Sequence, residues 1–342
     1  MKEIFALIDY KGHFGSKSGD YPYRSGFELN LLSDAFLTYG YKVIFMEFSE
    51  VDFRNVWRDR IVIYTSQEDI DYLYKSYIED VIYGLEQAGA LVIPKFKYLR
   101  CNNNKVFMEM IRDIIVDDQD SLHANTFGCI SELEYAIRSE KISFPCVIKS
   151  SQGACSYGVK KADDSSELIK AAKSLASSKD LKNDLHDFVR SLRHKGYILE
   201  SRFRKKFIVQ PMIEGLNNDW KVLVFNNHYY TLIRHVNKND FRASGSHNDY
   251  RLGGESEIPE DVLNHAKKIY EKLNVPMVSL DMAFDGKRSY MIEFQAVYFG
   301  SWTCVASNDY YEYKNGGWIL KKKSEDVYEK IYAQCIVEYL KK

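Results

Sequence analysis

A lysine followed by a small polar loop is the first feature of this sequence that could bind a ligand. The apolar segment CVIK ends in Lys149 and passes directly into the loop. The small residues of this loop are Ser150, Ser151, Gly153, Ser156 and Gly158. One cation beside several unshielded backbone N–H groups is an arrangement that binds phosphates. It differs from a Walker loop, because Val-Lys follows the last glycine instead of Lys-Ser or Lys-Thr, and the same residues would also suit an ordinary glycine turn.

A second set of ligand-type side chains lies in a predicted β-hairpin nearer the C-terminus. Asp281 is on the first strand, while Glu293 and Gln295 are two residues apart on the second strand and therefore share one face. Two carboxylates and an amide oxygen form a cluster of hard oxygen ligands, which Mg²⁺ prefers together with nucleotide phosphates. The competing interpretation is a solvated sheet face, because Met282 and Phe294 alternate correctly with these residues.

Several cations lie on or beside the strands that lead to this cluster. They are Lys221, Arg234 and Arg242. A further lysine, Lys105, stands at a predicted helix start, where a positive charge is unfavourable for the helix dipole unless it faces an anion. Cations near carboxylates favour a bound polyphosphate, although any one of them alone is typical of a protein surface.

The residues up to about 95 show the alternation of a small α/β unit with a mainly parallel sheet. The strand-type runs are at 3–9, 41–48, 60–65 and 89–94, and helical spacing is found at 25–40 and 72–87. Parallel sheets bind ligands beyond the carboxyl ends of their strands, so the loops at 10–24 and 65–69 could contact a substrate. Both loops would also suit a plain protein surface.

The remaining two thirds of the chain are predicted to mix helices with hairpins. The expected elements are a polar helical section at 165–195, a strand at 206–215, a hairpin turning at Asn226-Asn227, a helix at 259–273 and a hairpin turning at Asp285-Gly286. A terminal helix is expected to begin with Ser324 as its cap. Its predicted core-facing stripe is Val327, Ile331, Cys335 and Ile336.

The composition excludes several classes of function. The chain has 342 residues and a formal charge of -1, which gives no overall attraction to nucleic acid or to an anionic membrane. Six cysteines show no paired spacing, which favours reduced thiols over a disulfide framework or a zinc site. Asp9 interrupts the apolar N-terminal run where a signal peptide would continue, so we expect a cytoplasmic protein without membrane insertion.

Taken in order, five segments resemble the ATP-grasp superfamily, in particular its glutathione synthetase-like and ribosomal-protein glutamate ligase-like members. They are the helix start at Lys105, CVIKSSQGACSYGV, FIVQPMIEGLNNDWKVLVF, NDFRASGS and the hairpin with SLDMAF and MIEFQ. The resemblance covers about residues 100 to 300 and depends on order and spacing. It implies a multidomain chain of α/β and α+β type, with a preATP-grasp α/β domain at 1–98. Two α+β subdomains with ATP between them would follow, a lid at 99–209 and a C-terminal subdomain at 210–342.

The resemblance implies nucleotide-binding roles for several residues. Lys105 and Lys149 would contact the phosphates, and the segment from Ser150 to Gly158 would be the mobile loop that closes over them. Adenine would bind to the backbone of the strand segment Gln210, Pro211, Met212 and Ile213, with the N–H supplied by the last residue. Asp219 would hold the ribose.

The resemblance also implies the catalytic and metal-binding sets. Lys221 would lie beside the phosphates, and Arg234 and Arg242 would lie near the γ-phosphate and the acyl phosphate. The magnesium triad would be Asp281, Glu293 and Gln295. The last member of this triad is usually Asn, and Gln295 is one methylene longer, although its amide oxygen is still a competent ligand.

The segment after the triad departs from the family pattern. A small Ser-Pro-Gly segment usually lines the acceptor site, whereas this chain has AVYFGSWT. Tyr298, Phe299 and Trp302 imply a more aromatic acceptor pocket, which mildly favours a flat or sugar-like substrate.

The implied activity is that of a carboxylate-amine ligase that uses ATP and Mg²⁺. A small-molecule or glycan carboxylate would be activated as an acyl phosphate and then joined to an amine. The alternative enzyme is a small-molecule kinase on the same scaffold, and a further alternative is a nucleotide-binding module without catalysis. The sequence leaves the substrates and the oligomeric state open.

Overall fold

The structure is a computed structural model that describes residues 1–16, 25–115, 122–153, 158–178, 180–236, 249–324 and 327–342. The strands within these ranges are β1 Lys2–Ile8, β2 Tyr41–Glu47, β3 Ile61–Tyr64, β4 Leu91–Ile93, β5 Asn125–Phe127, β6 Cys146–Ser150, β7 Val159–Ala162, β8 Phe207–Pro211, β9 Asn218–Phe225, β10 His228–His235, β11 Arg251–Leu252, β12 Met277–Phe284, β13 Ser289–Gln295, β14 Asp309–Lys314 and β15 Gly317–Lys322. The α-helices are α1 Leu29–Thr38, α2 Leu73–Gln87, α3 Phe96–Cys101, α4 Lys105–Ile115, α5 Ile130–Arg138, α6 Ser165–Ala176, α7 Leu181–Arg193, α8 Glu260–Leu273, α9 Trp302–Ala306 and α10 Tyr328–Tyr339. None of these helices has the length and apolar character needed to cross a membrane.

The chain forms two compact units. The first contains Met1–Asn102 together with Leu216–Lys342, and the second contains Asn103–Gly215. The division into domains at 1–98, 99–209 and 210–342 stays a prediction.

The first unit contains a four-stranded parallel sheet with the strand order β2-β1-β3-β4. Its strands and the helices α1 and α2 occur in the order that the apolar pattern of the first 95 residues predicts. Helix α10 packs against α1, and Leu32 and Ile336 from these helices share one core cluster with Ile4 of β1. The end of the chain therefore completes the core around its first strand.

The first unit also contains an antiparallel sheet with the order β13-β12-β9-β10-β14-β15, and β11 pairs with β10. The pairs β9–β10 and β12–β13 are the two predicted hairpins, and α8 packs against β12 and β13. The hairpin β14–β15 was not predicted. Its turn contains Asn315 and Gly316, both with positive φ (54° and 84°), and an Asn-Gly pair is the sequence signal for such a turn.

The second unit is built on a four-stranded antiparallel sheet with the order β5-β8-β6-β7. Helices α5 and α6 pack together, and their residues Leu133 and Leu168 join Ile148 and Phe207 of the central strands in one core cluster. The predicted polar helical section at 165–195 is two helices, α6 and α7. The buried strands β6 and β8 fix the positions of the ligand-type residues at their ends.

The prediction for the start of the terminal helix is wrong. The N-cap residue of α10 is Val327 rather than Ser324, and Val327 is 40% exposed instead of facing the core. Tyr328, the first residue of this helix, is buried, and its ring packs edge-on against Phe27 with centroids 5.1 Å apart.

Candidate active site

Charged side chains form a cluster across four neighbouring strands of the antiparallel sheet. Glu293 of β13 lies directly opposite Asp281 of β12, and Asp281 lies directly opposite Lys221 of β9. Asp219 is two residues before Lys221, on the same face, and lies opposite Arg234 of β10. Directly opposed residues have Cβ atoms only about 4.5–5.5 Å apart, so neighbouring members can interact. We call these five residues the charged cluster.

The sheet face that carries the charged cluster changes from apolar to charged along its strands. Leu223, Tyr230 and Met277 on this face are 5% exposed or less and belong to the core cluster that includes α10. Lys221 precedes Leu223 by two positions on β9, and Arg234 follows Tyr230 by four positions on β10. Burial of the apolar half fixes the strand register, and the register then positions the charges.

Arg234 is the central residue of the charged cluster. Its Nε and Nη2 donate hydrogen bonds to Oδ1 and Oδ2 of Asp219 at 2.6 and 2.9 Å, which is a bidentate ion pair. Arg234 Nη2 also lies 3.2 Å from Oδ1 of Asp281, and Lys221 Nζ lies 3.6 Å from the same oxygen. Arg234 and Asp219 are each only 6% exposed, so this part of the sheet face is buried rather than solvated.

Burial and ion pairing act in opposite directions on the groups of the charged cluster. Burial would raise the pKa of Asp281, but Arg234 and Lys221 outweigh it and hold that pKa at about 2. Burial raises the pKa of Asp219 in spite of the opposing effect of Arg234. Three carboxylates and two cations leave the cluster with a formal charge of -1 when all are ionised. A further cation would therefore be attracted to it.

The donor set at the end of this hairpin fits a magnesium ion. Gln295 lies opposite Ser279, two positions from the pair of Asp281 and Glu293, so both carboxylates and the amide share one face. Oδ1 of Asp281 is buried and accepts no hydrogen bond of ordinary geometry among the described residues. The residues that the structure describes also contain no group of three or more His, Cys, Asp or Glu that could hold a metal. Mg²⁺ needs no such group, because it usually takes one or two carboxylates and completes its shell with water and phosphate.

In the second unit, the loop after β6 is tied to the start of α4. The backbone N–H of Lys105 donates to the carbonyl of Ser151 at 2.8 Å, and its Nζ donates to the carbonyl of Gly153 at 3.0 Å. Lys105 and Lys149 are each 8% exposed. Lysines are almost never this buried at an ordinary surface, so two of them beside one loop concentrate positive charge there.

Asn104 joins this loop and was missed by the sequence analysis. Its Oδ1 lies 3.1 Å from Oγ of Ser151 and accepts a hydrogen bond from Nζ of Lys206 at 2.8 Å. Asn104 is 6% exposed, and it links the start of α4, the loop and the chain just before β8. The run Asn102 to Asn104 indicated only a turn, because nothing in the local sequence shows which distant groups an amide will meet.

Gly158 ends the loop between β6 and β7. Its carbonyl accepts a hydrogen bond from the N–H of Ser150 at 2.9 Å, and its φ is +76°. A Cβ at this position would lie 2.3 Å from Oγ of Ser150, so the close approach requires glycine. Ser156 of the same loop and Arg242, which were both predicted to be functional, lie outside the described residues.

The predicted adenine segment is the end of β8 and the residues after it. Gln210 is 5% exposed, and its Oε1 has no hydrogen-bond partner within the described ranges. The N–H of Met212 donates to the carbonyl of Pro145 at 3.2 Å, which keeps the chain extended after Pro211. Within the same ranges, the N–H of Ile213 makes no backbone hydrogen bond. This segment therefore combines an unsatisfied buried acceptor with a nearby donor.

The aromatic segment after β13 lines a small cavity in the first unit. Tyr298 and Phe299 border a cavity of about 40 Å³, together with Thr65 at the end of β3 and Phe14. Trp302 is 41% exposed and does not line this cavity. Two of the three aromatic residues of this segment therefore line a cavity, and an aromatic acceptor pocket stays a prediction.

Asp9 holds the loops that follow the parallel strands β1 and β3. Its Oδ1 accepts hydrogen bonds from the N–H groups of Lys11 and His13 at 2.8 and 2.9 Å, and Gln67 donates to its Oδ2. The carboxylate thus has a structural role in joining the two loops. Residues 17–24 of the predicted substrate loop lie outside the described residues.

Solved structures with the same fold are found over nearly the whole chain. D-cycloserine synthetase DcsG has a TM-score of 0.55 and 11% identity, with 99% of each chain covered. D-alanyl-alanine synthetase A from Vibrio cholerae O1 biovar eltor str. N16961 has a TM-score of 0.51 and 12% identity, with 99% of this chain and 98% of that chain covered. The ADP complex of purK, N5-carboxyaminoimidazole ribonucleotide synthetase, has a TM-score of 0.52 and 11% identity, with 90% and 73% covered.

No protein-family model matches the sequence, and no curated protein matches it significantly. At these identities the structural similarity defines the fold alone. The chain has the ATP-grasp fold, as the order of its motifs predicts. The mixed α/β and antiparallel architecture predicted from the sequence is also confirmed.

Proposed function

We propose that this chain is an ATP-dependent carboxylate-amine ligase, which forms an amide through an acyl phosphate and releases ADP and phosphate. The observation that carries the proposal is the charged cluster, which is held on a sheet of an ATP-grasp fold with Asp219 and Arg234 almost fully buried. The names of the similar structures support it, since they include a D-alanyl-alanine synthetase and an ADP complex of a carboxyaminoimidazole ribonucleotide synthetase.

In the second unit, we assign nucleotide contacts to three features. Lys105 and Lys149 are buried cations that hold phosphates, and the N–H groups of the loop that ends at Gly158 assist them. Oε1 of Gln210 and the carbonyl of Pro211 are acceptors for the amino group of adenine. The N–H of Ile213 is the matching donor for a ring nitrogen.

In the first unit, Arg234 and Lys221 neutralise negative charge that develops during phosphoryl transfer. Such transfer needs positioning and charge stabilisation more than covalent chemistry from the protein. Both oxygens of Asp219 accept from Arg234, so Asp219 fixes the guanidinium orientation. A contact of Asp219 with ribose would use its remaining lone pairs. For Arg242, which lies outside the described residues, we retain the role near the acyl phosphate that the family resemblance implies.

Asp281, Glu293 and Gln295 are the residues that would hold magnesium. A bound Mg²⁺ would neutralise phosphate charge and orient the phosphate oxygens. Asp281 is suited to this role because its low pKa keeps it ionised at neutral pH. The chain itself contributes the orientation of these oxygens through the register of β12 and β13.

The reaction that this arrangement serves has two steps. A substrate carboxylate oxygen attacks the γ-phosphorus, the bond to the β-phosphate oxygen breaks, and ADP leaves. The amine then attacks the carbonyl carbon of the acyl phosphate, phosphate leaves, and the amine loses a proton. Closure of the loop between β6 and β7 would exclude the water that otherwise hydrolyses the intermediate.

We expect the substrate carboxylate to be a small molecule. Tyr298 and Phe299, which border the cavity, come three and four residues after Gln295, the last residue of β13. The cavity is therefore lined by the segment that directly follows Glu293 and Gln295 in the chain. Its volume of about 40 Å³ leaves room only for a small group unless the lining moves. The aromatic faces of its lining favour a flat or sugar-like portion of the substrate.

The test is a hydroxylamine assay with ATP and Mg²⁺ over a panel of amino acids, short peptides and uronic acids. Hydroxylamine replaces the unknown amine and converts an acyl phosphate into a hydroxamate. Hydroxamate that appears in step with ADP, and with one class of carboxylate, is the expected result. Glu293→Gln should abolish both products, whereas Glu260→Gln on the exposed face of α8 is the matched control and should keep them.

Two outcomes would contradict the proposal. ADP formation with a stable phosphorylated product and no hydroxamate would identify a kinase. Tight ATP binding without ADP formation on any member of the panel would identify a binding module.

A further inference from the structure

The two faces of the sheet in the second unit have different characters. Ile148 and Phe207 lie on the apolar face, which belongs to the core cluster with α5 and α6. Side chains alternate between the faces of a strand, so Lys149 lies on the other face. Lys149 is directly opposite Ile208, and Gln210 shares that face because it is two positions further along β8. The nucleotide contacts proposed above for Lys149 and Gln210 therefore belong to one sheet face.

Lys206 lies on the same face as Lys149 and Gln210. It is two positions before Ile208, and its carbonyl accepts a hydrogen bond from the N–H of Ser151 at 3.2 Å. This bond continues the pairing of β6 with β8 by one residue, so the alternation of faces continues as well. The side chain of Lys206 is half-buried. The face therefore carries a second lysine beyond Lys149.

The ammonium group of Lys206 is held beside the start of α4. Its Nζ donates to Oδ1 of Asn104 at 2.8 Å. The same oxygen lies 3.1 Å from Oγ of Ser151 and accepts from the N–H of Phe107 at 3.3 Å, so it also caps α4. Asn104 is adjacent to Lys105, whose Nζ donates to a carbonyl of the loop after β6. Asn104 thus links Lys206 to the loop and to the buried lysine at the helix start.

This arrangement favours a bound polyanion. Lys105, Lys149 and Lys206 gather three ammonium groups around one loop, where they repel one another and are partly removed from water. A polyphosphate would offset both costs. Oε1 of Gln210 on the same face is buried and has no hydrogen-bond partner among the described residues, which is independent evidence for a ligand there.

The order of these residues along the strands matches an extended nucleotide. Gln210 is at one end, Lys149 is level with Ile208, and Lys206 is two residues further on. A strand rises about 3.3 Å per residue, so Gln210 and Lys206 are about 13 Å apart along β8, which suits the two ends of an extended ATP molecule. With adenine at Gln210, the triphosphate would pass Lys149 and end at Lys206.

We propose that Lys206 contacts the terminal phosphates of the bound nucleotide and that Asn104 is its positioning residue. The inference rests on the proposed function and adds a residue that distinguishes nucleotides by length. ATP reaches Lys206, whereas AMP lacks the terminal phosphates and ends before it.

The test compares the binding of ATP and of AMP to the full chain by calorimetry, with Mg²⁺ and without a carboxylate or an amine. The wild type should bind ATP more tightly than AMP. Lys206→Met should weaken ATP binding about tenfold, because a charge-assisted hydrogen bond to phosphate is lost, and should change AMP binding by less than about twofold. Lys206→Arg keeps a charge at this position and should keep most of the preference for ATP.

Lys205→Met is the matched control. Lys205 is the preceding residue, its side chain is exposed, and its backbone N–H donates to the carbonyl of Ala176. The variant removes the same charge from the chain but leaves the sheet face with Lys149 and Lys206 intact. Both affinities should therefore stay unchanged.

A double-mutant cycle tests the positioning role of Asn104. Because Asn104 also caps α4 and contacts Ser151, a purely structural loss would be the same with or without Lys206. We expect Asn104→Ala to weaken ATP binding in the wild type and to have a smaller effect in Lys206→Met, since the two residues act together. An equal effect in both backgrounds would overturn the positioning role.

Failure of this inference is distinguishable from failure of the proposed function. Absence of ATP binding by wild-type protein that circular dichroism shows to be folded would overturn both. ATP binding that is equally tight in the wild type and in Lys206→Met would overturn the inference alone. An equal loss of ATP and AMP affinity in Lys206→Met would do the same, because Lys206 would then only support the structure of the site.

Discussion

Replacement of Arg234 by Met tests the charged cluster most directly. Arg234→Met keeps a long side chain but leaves the carboxylates of Asp219 and Asp281 without the cation that pairs with both. Loss of one partner from a buried ion pair typically costs about 3–5 kcal/mol, because a charge stays buried without compensation. We expect a loss of this size in the free energy of unfolding of the first unit at pH 7.

The pKa of Asp281 gives a second measure of the stability that the ion pairs of the charged cluster contribute. Its shift from 3.8 to about 2 is worth about 2 kcal/mol of stability at neutral pH. Because the folded-state pKa is depressed, this stability is fully present above about pH 5 and is lost as the pH falls through 4 toward 2. In Arg234→Met the carboxyl groups take up protons at higher pH, so the difference between the wild type and the variant should shrink as the pH is lowered.

The assay is urea unfolding followed by tryptophan fluorescence between pH 3 and pH 7. All four tryptophans, at 57, 220, 302 and 318, lie in the first unit, so the signal reports on the unit that contains the charged cluster. Arg54→Met is the matched control. Arg54 also forms a bidentate pair, with Asp52, but its side chain is 92% exposed, so its replacement should leave the unfolding midpoint unchanged.

The reasoning would be refuted by either of two results. One is a loss of stability in Arg234→Met that is no larger than the loss in Arg54→Met. The other is a loss that stays constant down to pH 3, because it would then come from packing rather than from uncompensated carboxylates.

Three further predictions concern the candidate active site. Glu293→Gln should lower the rate of ADP formation by about two orders of magnitude or more at an unchanged unfolding midpoint, as measured by a coupled ADP assay; a normal rate would exclude the metal assignment. Lys149→Met should weaken ATP binding about tenfold or more in calorimetry, since a charge-assisted hydrogen bond is lost, and equal affinity would show that Lys149 does not touch the nucleotide. Gly158→Ala should destabilise the second unit by about 1–2 kcal/mol, because φ is +76° and the new Cβ meets Ser150 Oγ. Unchanged protection of the β6 and β7 amides in hydrogen exchange would contradict it.

The regular elements were predictable where local pattern and global packing agree. The middle strands β1 and β3 of the parallel sheet are buried or half-buried on both faces over most of their length, so they appear as short apolar runs between helices. The turn at Asn226 and Asn227 was predictable because these residues favour the tight connection of a hairpin, and Asn226 has a positive φ. The hairpin β14–β15 has an equally good turn, but its strands are rich in tyrosine and lysine and lack the alternation that would have marked them.

Contacts over long sequence distances were not predictable. Asn104 meets Lys206 across 102 positions, and neither residue carries a local sign of the other. The exposure of the apolar residues of α7, Leu181, Leu185, Phe188 and Leu192, was equally hidden, because the apolar period of a helix predicts which residues share a face but not which face is turned to the core. Asp187 is the buried polar residue of this helix, and it is bound by Tyr197 and Glu200, which lie after the end of the helix.

In the charged cluster, the alternation of residues along the strands does not by itself distinguish a structural role from a functional one. The i, i+2 pattern of Glu293 and Gln295 is the same for a solvated sheet face and for a binding site. In the structure Arg234 and Asp219 are almost inaccessible to water, whereas Glu293 and Gln295 are half-buried, so burial argues against a solvated face only at the first pair. Buried ion pairs are weak contributors to stability, and well-packed apolar residues of similar volume would serve the core at least as well. Stability alone therefore does not account for the buried pair of Arg234 and Asp219 in a cluster with one excess negative charge, which supports our proposal that the cluster binds a cation together with phosphates.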